Sequence, residues 1–141
     1  MKKNLVRDWM TANPVTIGPK TNLHDAHKLM QERHVRRLMV VEDGKLIGII
    51  TLGDVQEAEP SSATSLSVFE LNYLLAKLTI DEIMTRKVIT VAVDATVRET
   101  ARLMLDNEIG GLPVMEGDKL VGIITESDIF RVLVQSPEEI E

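Results

Sequence analysis

Two short segments carry oxygen groups in an arrangement suited to a small polar ligand. Gly48-Ile49-Ile50-Thr51-Leu52-Gly53-Asp54 and Gly122-Ile123-Ile124-Thr125-Glu126-Ser127-Asp128 each end an apolar run in a hydroxyl and place a carboxylate three residues on. An ionised carboxylate is acceptor-only and suits a vicinal sugar diol, while the N–H groups opening a helix suit an anion. Thr and Asp also cap helix N-termini, so either segment alone reads first as a capped helix start. Two occurrences in one register add the functional reading without removing the capping one. A third segment, Val35-Arg36-Arg37-Leu38, sets two guanidinium groups at the mouth of an apolar strand. A solvated pair is the default, but Arg is also the residue suited to bidentate phosphate recognition. His24 and His27, three apart on an expected helix, could share a face, yet no third metal ligand is specified and Lys28 and Arg33 interleave. No metal site is expected. No nucleophile stands with a base, so the residues name no enzyme.

The elements that must position these groups are written twice. Met84 minus Met10, Thr125 minus Thr51 and Asp128 minus Asp54 all give a shift of 74 residues. Lys45-Leu46-Ile47-Gly48-Ile49-Ile50-Thr51 returns as Lys119-Leu120-Val121-Gly122-Ile123-Ile124-Thr125. Two copies point to a pseudo-twofold pair, since a solenoid needs about three or more repeats.

Each copy opens with a helical turn ending in Met-Thr (Val6 to Thr11, Ile80 to Thr85), followed by a short strand, Val15 to Ile17 or Val88 to Val91. Apolar residues at helical spacing predict a helix next, through Leu23, Ala26, Leu29 and Met30 or Val97, Ala101, Leu103 and Met104. Strands over Arg37 to Val41 and Leu46 to Thr51, or Leu112 to Met115 and Leu120 to Thr125, flank tight turns at Asp43-Gly44 and Gly117-Asp118. A helix starts at the Asp that follows. The expected fold is α/β, two β-α-β-β-α repeats packed as a pair that shares a core.

The expected boundaries are 1–57 for the first repeat, 58–78 for a linker, 79–134 for the second repeat and 135–141 for an acidic tail. Within the linker, Pro60 to Ser65 has loop composition. Ser67 and Glu70 then form a capping-box start to an amphipathic helix with Leu71, Leu74, Leu75 and Leu78. That helix either covers the domain's own surface or serves binding of a partner or self-association.

The 141 residues, 44% hydrophobic, are enough to bury one core, and with one Trp, one Tyr and two Phe it is built from aliphatics and Met. The absence of Cys excludes disulfides, thiolate metal sites and a Cys nucleophile. A net charge of −6 argues against broad nucleic-acid or anionic-membrane binding but allows a local basic pocket. The basic N-terminus has no apolar stretch of a signal peptide, and no run reaches the ~20 apolar residues of a membrane span. A soluble cytoplasmic protein is expected.

The doubled unit, the Met-Thr openings, Gly110-Gly111-Leu112-Pro113-Val114 and the paired Gly-Ile-Ile-Thr-x-x-Asp motifs together resemble a tandem pair of cystathionine-β-synthase (CBS) domains, a Bateman module. The resemblance covers nearly the whole chain, from about Val6 to Arg131 apart from the linker. It implies a non-enzymatic regulatory module that binds an adenosine-containing ligand, such as AMP, ADP, ATP, S-adenosylmethionine or NAD, in clefts between the repeats. No other cofactor is required.

The first cleft would join Thr125, Ser127 and Asp128 to Asn13, Val15, Val35, Arg36 and Arg37. Asp128 would hold the ribose, Thr125, Ser127 and the Arg pair would face phosphate, and Val15 and Val35 would enclose adenine. The second would join Thr51 and Asp54 to Val88, Ile109 and Gly110. There Gly53 stands for a hydroxyl and Gly110-Gly111 adds no charge, so weaker binding, an uncharged adenosine group or vacancy is expected. Met39 also stands where the pattern has Pro. The resemblance further implies a homodimer, and an unnamed target protein recognised in trans. The alternative is a self-association module with a degenerate nucleotide site.

Overall fold

The computed structural model describes residues 4–59 and 67–136; the expected loop at Pro60 to Ser65, the acidic tail from Pro137 and the side chain of Leu75 lie outside the described residues. The chain is α/β with two small sheets, and it divides into two compact units. One comprises residues 15–88 and the other residues 1–14 with 89–141. These units do not coincide with the sequence repeats.

In the 15–88 unit the sheet has the order β2 (Thr16–Ile17), β3 (Arg37–Glu42), β4 (Lys45–Thr51). β2 and β3 are parallel and β3 and β4 antiparallel, with α2 (Leu23–Arg33) as the crossover. Asn22 caps α2 by accepting the Asp25 N–H at 2.8 Å. Leu23, Ala26 and Met30 on the inner stripe of α2 are buried with Leu38, Val40, Ile50 and Val55, as the helical spacing requires. The β3–β4 turn has positive φ at both Asp43 and Gly44, the geometry that matches strand twist in a two-residue hairpin. α3 (Leu52–Ala58) follows β4 directly, and α4 (Val68–Lys77) begins at Ser67, whose hydroxyl accepts the Glu70 N–H at 3.2 Å. The linker helix packs beside α2, while Val68, Phe69 and Tyr73 remain exposed.

The other unit repeats this plan in the sheet β1 (Thr11–Ala12), β7 (Lys119–Thr125), β6 (Gly111–Glu116), β5 (Val91–Ala92). α5 (Val97–Asn107) is its crossover and α6 (Glu126–Gln135) its last helix. The short first strand begins at Val91, not Val88, yet its register is that of the first copy: Val91 faces Val114 as Ile17 faces Val40. On α5 the residue matching Ala26 is Thr100, not Ala101. Thr100 is fully buried, and its hydroxyl donates to the Thr96 carbonyl at 3.0 Å, which removes the penalty for a buried polar group.

The opening segments are exchanged. α1 (Val6–Trp9) and β1 belong to the unit built on the second repeat's strands, and β1 pairs antiparallel with β7. Ile80 to Thr85, which opens with a 3₁₀ turn (Ile80–Glu82) in place of an α-turn, belongs to the unit built on the first repeat's strands, where Thr85 bridges Ile49. The hydrogen bonds match one for one. Val6 and Arg7 donate to the carbonyls of Ala95 and Val93 at 2.9 and 3.0 Å; Ile80 and Asp81 donate to those of Thr21 and Pro19 at 2.8 and 2.9 Å. Val6 and Ile80 are both fully buried. Gly122 and Gly48 let the crossing segment lie against the strand, because a Cβ there would come within 2.8 Å of the Thr11 carbonyl and 3.1 Å of the Thr85 carbonyl.

Candidate functional site

Both Thr-x-x-Asp segments form capped turns from a strand into a helix. In the first, the Thr51 N–H donates to Asp54 Oδ2 at 2.9 Å and the Asp54 N–H donates to Thr51 Oγ1 at 3.1 Å, a reciprocal capping box. In the second, Asp128 Oδ2 accepts the Thr125 N–H at 2.9 Å and, at 3.4 Å, the Thr125 hydroxyl. The capping reading therefore holds in both copies. The second copy adds a feature the first lacks: Arg131 Nη1 lies 2.6 Å from Asp128 Oδ1. Asp128 is only 5% exposed, so its carboxylate is a held, largely buried acceptor. Ser127 is exposed at the second residue of α6.

Each turn is tied to the segment before its neighbouring strand. The Arg36 carbonyl accepts the Leu52 N–H at 2.8 Å, and the Gly110 carbonyl accepts the Glu126 N–H at 3.0 Å. Arg37 faces Thr51 across β3 and β4, and Gly111 faces Thr125 across β6 and β7. Within the 15–88 unit this places Arg36, Arg37, Thr51 and Gly53 around one cavity of about 230 Å³, with Leu52 and Gln56. An adjoining cavity of about 380 Å³ is lined by Val35, Arg36, Leu52 and Gln56 together with His27, Met30, Gln31 and His34. Within this unit both Arg residues line the same cavity as Thr51.

The remaining candidates divide by unit. Val15 is half-buried, packs on the core of the 15–88 unit and accepts the Met39 N–H at 3.2 Å. Met39, at the position where Pro113 stands in the other copy, is buried. Val35 packs on the same core, and Val88 is the last residue of that unit. Asn13 lies in the other unit, in the left-handed region at φ 54°, which Asn tolerates better than most residues, and its N–H donates to the Val121 carbonyl at 3.3 Å. Ile109 packs on the core of that unit beside Gly110.

His27 is paired with Glu59 and lines the larger cavity, and among the described residues no group of three His, Cys, Asp or Glu could hold a metal ion. The residue that sequence reasoning missed is Arg131. Its signal is an Arg three positions after the motif Asp, on the same helix face, where the first copy has Glu57. Among the described residues, no helix is long and apolar enough to cross a membrane.

Two mixed-sheet units, each carrying a strand that runs into a Thr-Asp-capped helix, define a tandem-repeat α/β module. The CBS domain profile matches residues 6–61 and 80–135, and the chain belongs to the CBS domain family as a tandem pair. A CBS domain-containing protein of Dictyostelium discoideum is 32% identical over 140 residues, covering 98% of this chain and 97% of that protein. Among solved structures, the CBS domain pair of protein MJ0100 in complex with 5′-methylthioadenosine and S-adenosyl-L-methionine is 32% identical, with a TM-score of 0.78 over 94% of this chain and 98% of that one. The complex of CBSX2 with AMP is 27% identical, with a TM-score of 0.78 over 96% and 99%. Other curated relatives are longer: the chain spans 32%, 23% and 47% of three proteins of Methanocaldococcus jannaschii, one of them an L-aspartate semialdehyde sulfurtransferase.

Proposed function

We propose that this CBS pair is a non-catalytic regulatory module in which an adenosine-containing ligand alters assembly or affinity for a target protein. The observation that carries the reading is Asp128: a nearly buried carboxylate held at the end of a strand, in a turn the chain builds twice. An acceptor of that kind suits the two hydroxyls of a ribose. Thr125 and Ser127 stand beside it, and Arg36 and Arg37 supply the charge a phosphate needs. Asn13, Val15 and Val35 complete this set, and Thr51, Asp54, Val88, Ile109 and Gly110 form the second. The two similar structures solved with 5′-methylthioadenosine, S-adenosyl-L-methionine or AMP support an adenosyl ligand. Such a ligand regulates only through different affinities for two states of the module.

Titration calorimetry with ATP, ADP, AMP and S-adenosylmethionine tests this. At least one ligand should bind in the micromolar range. Asp128→Ala should weaken it about tenfold or more, the scale of a charge-assisted hydrogen bond worth ~1.5–3 kcal/mol. Replacing Arg36 and Arg37 together by Ala should weaken phosphate-bearing ligands selectively. Binding unchanged by both variants removes the assignment.

A self-association role is favoured by one further observation: Leu105 on α5 and Phe130, Leu133 and Val134 on α6 are all more than half exposed. Apolar side chains so placed fit a contact between copies. Sedimentation of ligand-free protein as a homodimer, with every titration silent, would favour that reading over the first.

A further inference from the structure

We propose that Arg131 sets the charge of the Asp128 turn, neutralising the carboxylate so that the turn accepts a ligand that also carries phosphate. The proposal rests on the nucleotide reading above and adds a specificity residue to it. Asp128 Oδ2 is occupied by the Thr125 N–H at 2.9 Å, and Oδ1 by Arg131 Nη1 at 2.6 Å. Without Arg131, this 5% exposed carboxylate would be bonded only to a backbone N–H and a hydroxyl, with no opposite charge beside it. It would then repel a phosphate carried by the same ligand.

The Arg131 side chain is about half exposed, at 49%, so the guanidinium cancels the charge of Asp128 while keeping contact with solvent. Guanidinium has five N–H donors, of which the bond to Asp128 uses one, and the others suit a phosphate oxygen. The first repeat is built differently. Asp54 makes its capping box, and the residue at the equivalent position is Glu57, a second negative charge on α3. The pairing of Arg131 with Asp128 thus gives the second repeat's turn a charge-paired carboxylate where the first carries two acidic groups on its helix.

The test is calorimetry of the full chain with AMP and with adenosine, comparing wild type, Arg131→Met and Arg131→Lys at low and high salt. Arg131→Met is expected to lose about five- to tenfold for AMP and less than about twofold for adenosine, the scale of one unit charge at a half-exposed site. Arg131→Lys should retain most of the AMP affinity, and the AMP-specific loss should shrink as salt rises. Melting curves without ligand check that the variants fold. If the Met variant does not, Arg131→Gln carries the same comparison, keeping a donor for Asp128 without the charge. Parallel losses for AMP and adenosine, or no loss for either, would overturn the proposal while leaving the nucleotide reading intact. A wild-type chain that binds neither ligand overturns the proposal, and the nucleotide reading falls with it only when ATP, ADP and S-adenosylmethionine are silent as well.

Discussion

Asp81 and Lys20 join the exchanged 3₁₀ turn to the loop before α2, and their titration should be visible in stability. The Lys20 ammonium, 2.7 Å from Asp81 Oδ2, and then the Thr79 hydroxyl hold the Asp81 carboxyl below its usual 3.8. The same hydrogen bond and charge raise Lys20 above its usual 10.5. Because the folded Asp81 binds its proton less readily than the unfolded one, its contribution is complete above pH 3.8 and is lost as pH falls below it. The Lys20 contribution is complete below pH 10.5 and is lost as pH rises beyond it. The Lys20 side chain is largely exposed, so the effect is small. Melting temperatures of wild type and Asp81→Asn should differ at neutral pH and converge as pH falls below about 4. A difference that stays constant across that range would exclude the ion pair as its source. At this scale the sequence showed the doubled Thr-x-x-Asp but not the pairing of Arg131, because an Arg on a helix surface is by default solvated. It allowed His24 and His27 to share a helix face but did not show that His27 pairs with Glu59.

Elements were legible wherever periodicity was strong, and slipped where it was short. The helices α2 and α5, the two hairpins and the linker helix lie where apolar spacing, turn residues and capping boxes put them. β5 moved because a two-residue strand has no periodicity of its own; its place is set by pairing with β6. Gly48 and Gly122 looked like ordinary strand residues, yet both are contact points for the exchanged segments. A Cβ at Gly48 would meet Met84 Sδ at 2.5 Å, the Met84 Cγ at 3.0 Å and the Thr85 carbonyl at 3.1 Å. A Cβ at Gly122 would meet Met10 Sδ at 2.7 Å and the Thr11 carbonyl at 2.8 Å. A methionine side chain can move aside, but a paired carbonyl cannot. Both Gly→Ala variants should therefore destabilise, by about 1–3 kcal/mol for overpacking, and Gly122→Ala should be the worse. Urea unfolding measures the order, and equal or reversed losses would mean that the sulfur contact governs both sites.

At the scale of the whole chain, the exchange could not be read from the sequence. Copies related by a constant offset present the same local pattern whether an opening segment docks on its own repeat or on the other. The hydrophobic turn around Ile80 and Met84 has the same composition in either case. The structure makes the choice, and the choice has a consequence for folding. A piece ending near residue 62 contains β2, α2, β3, β4 and α3 but lacks Ile80 and Met84, both buried in the core with Leu23, Leu38 and Ile50. It also lacks Thr85, which donates to the Ile49 carbonyl at 2.9 Å and accepts the Ile49 N–H at 3.0 Å along the edge strand β4. Loss of the fully buried Ile80 side chain alone is worth ~2–5 kcal/mol, a large part of the stability of a small domain. The complementary piece, 63–141, lacks Val6, Met10 and β1, and so loses the matching cover on β7. Neither piece should show a cooperative thermal transition alone, and an equimolar mixture should regain one near that of the intact chain. A cooperative transition in the 1–62 piece by itself would show that the exchanged turn is dispensable, and that each repeat closes its own core.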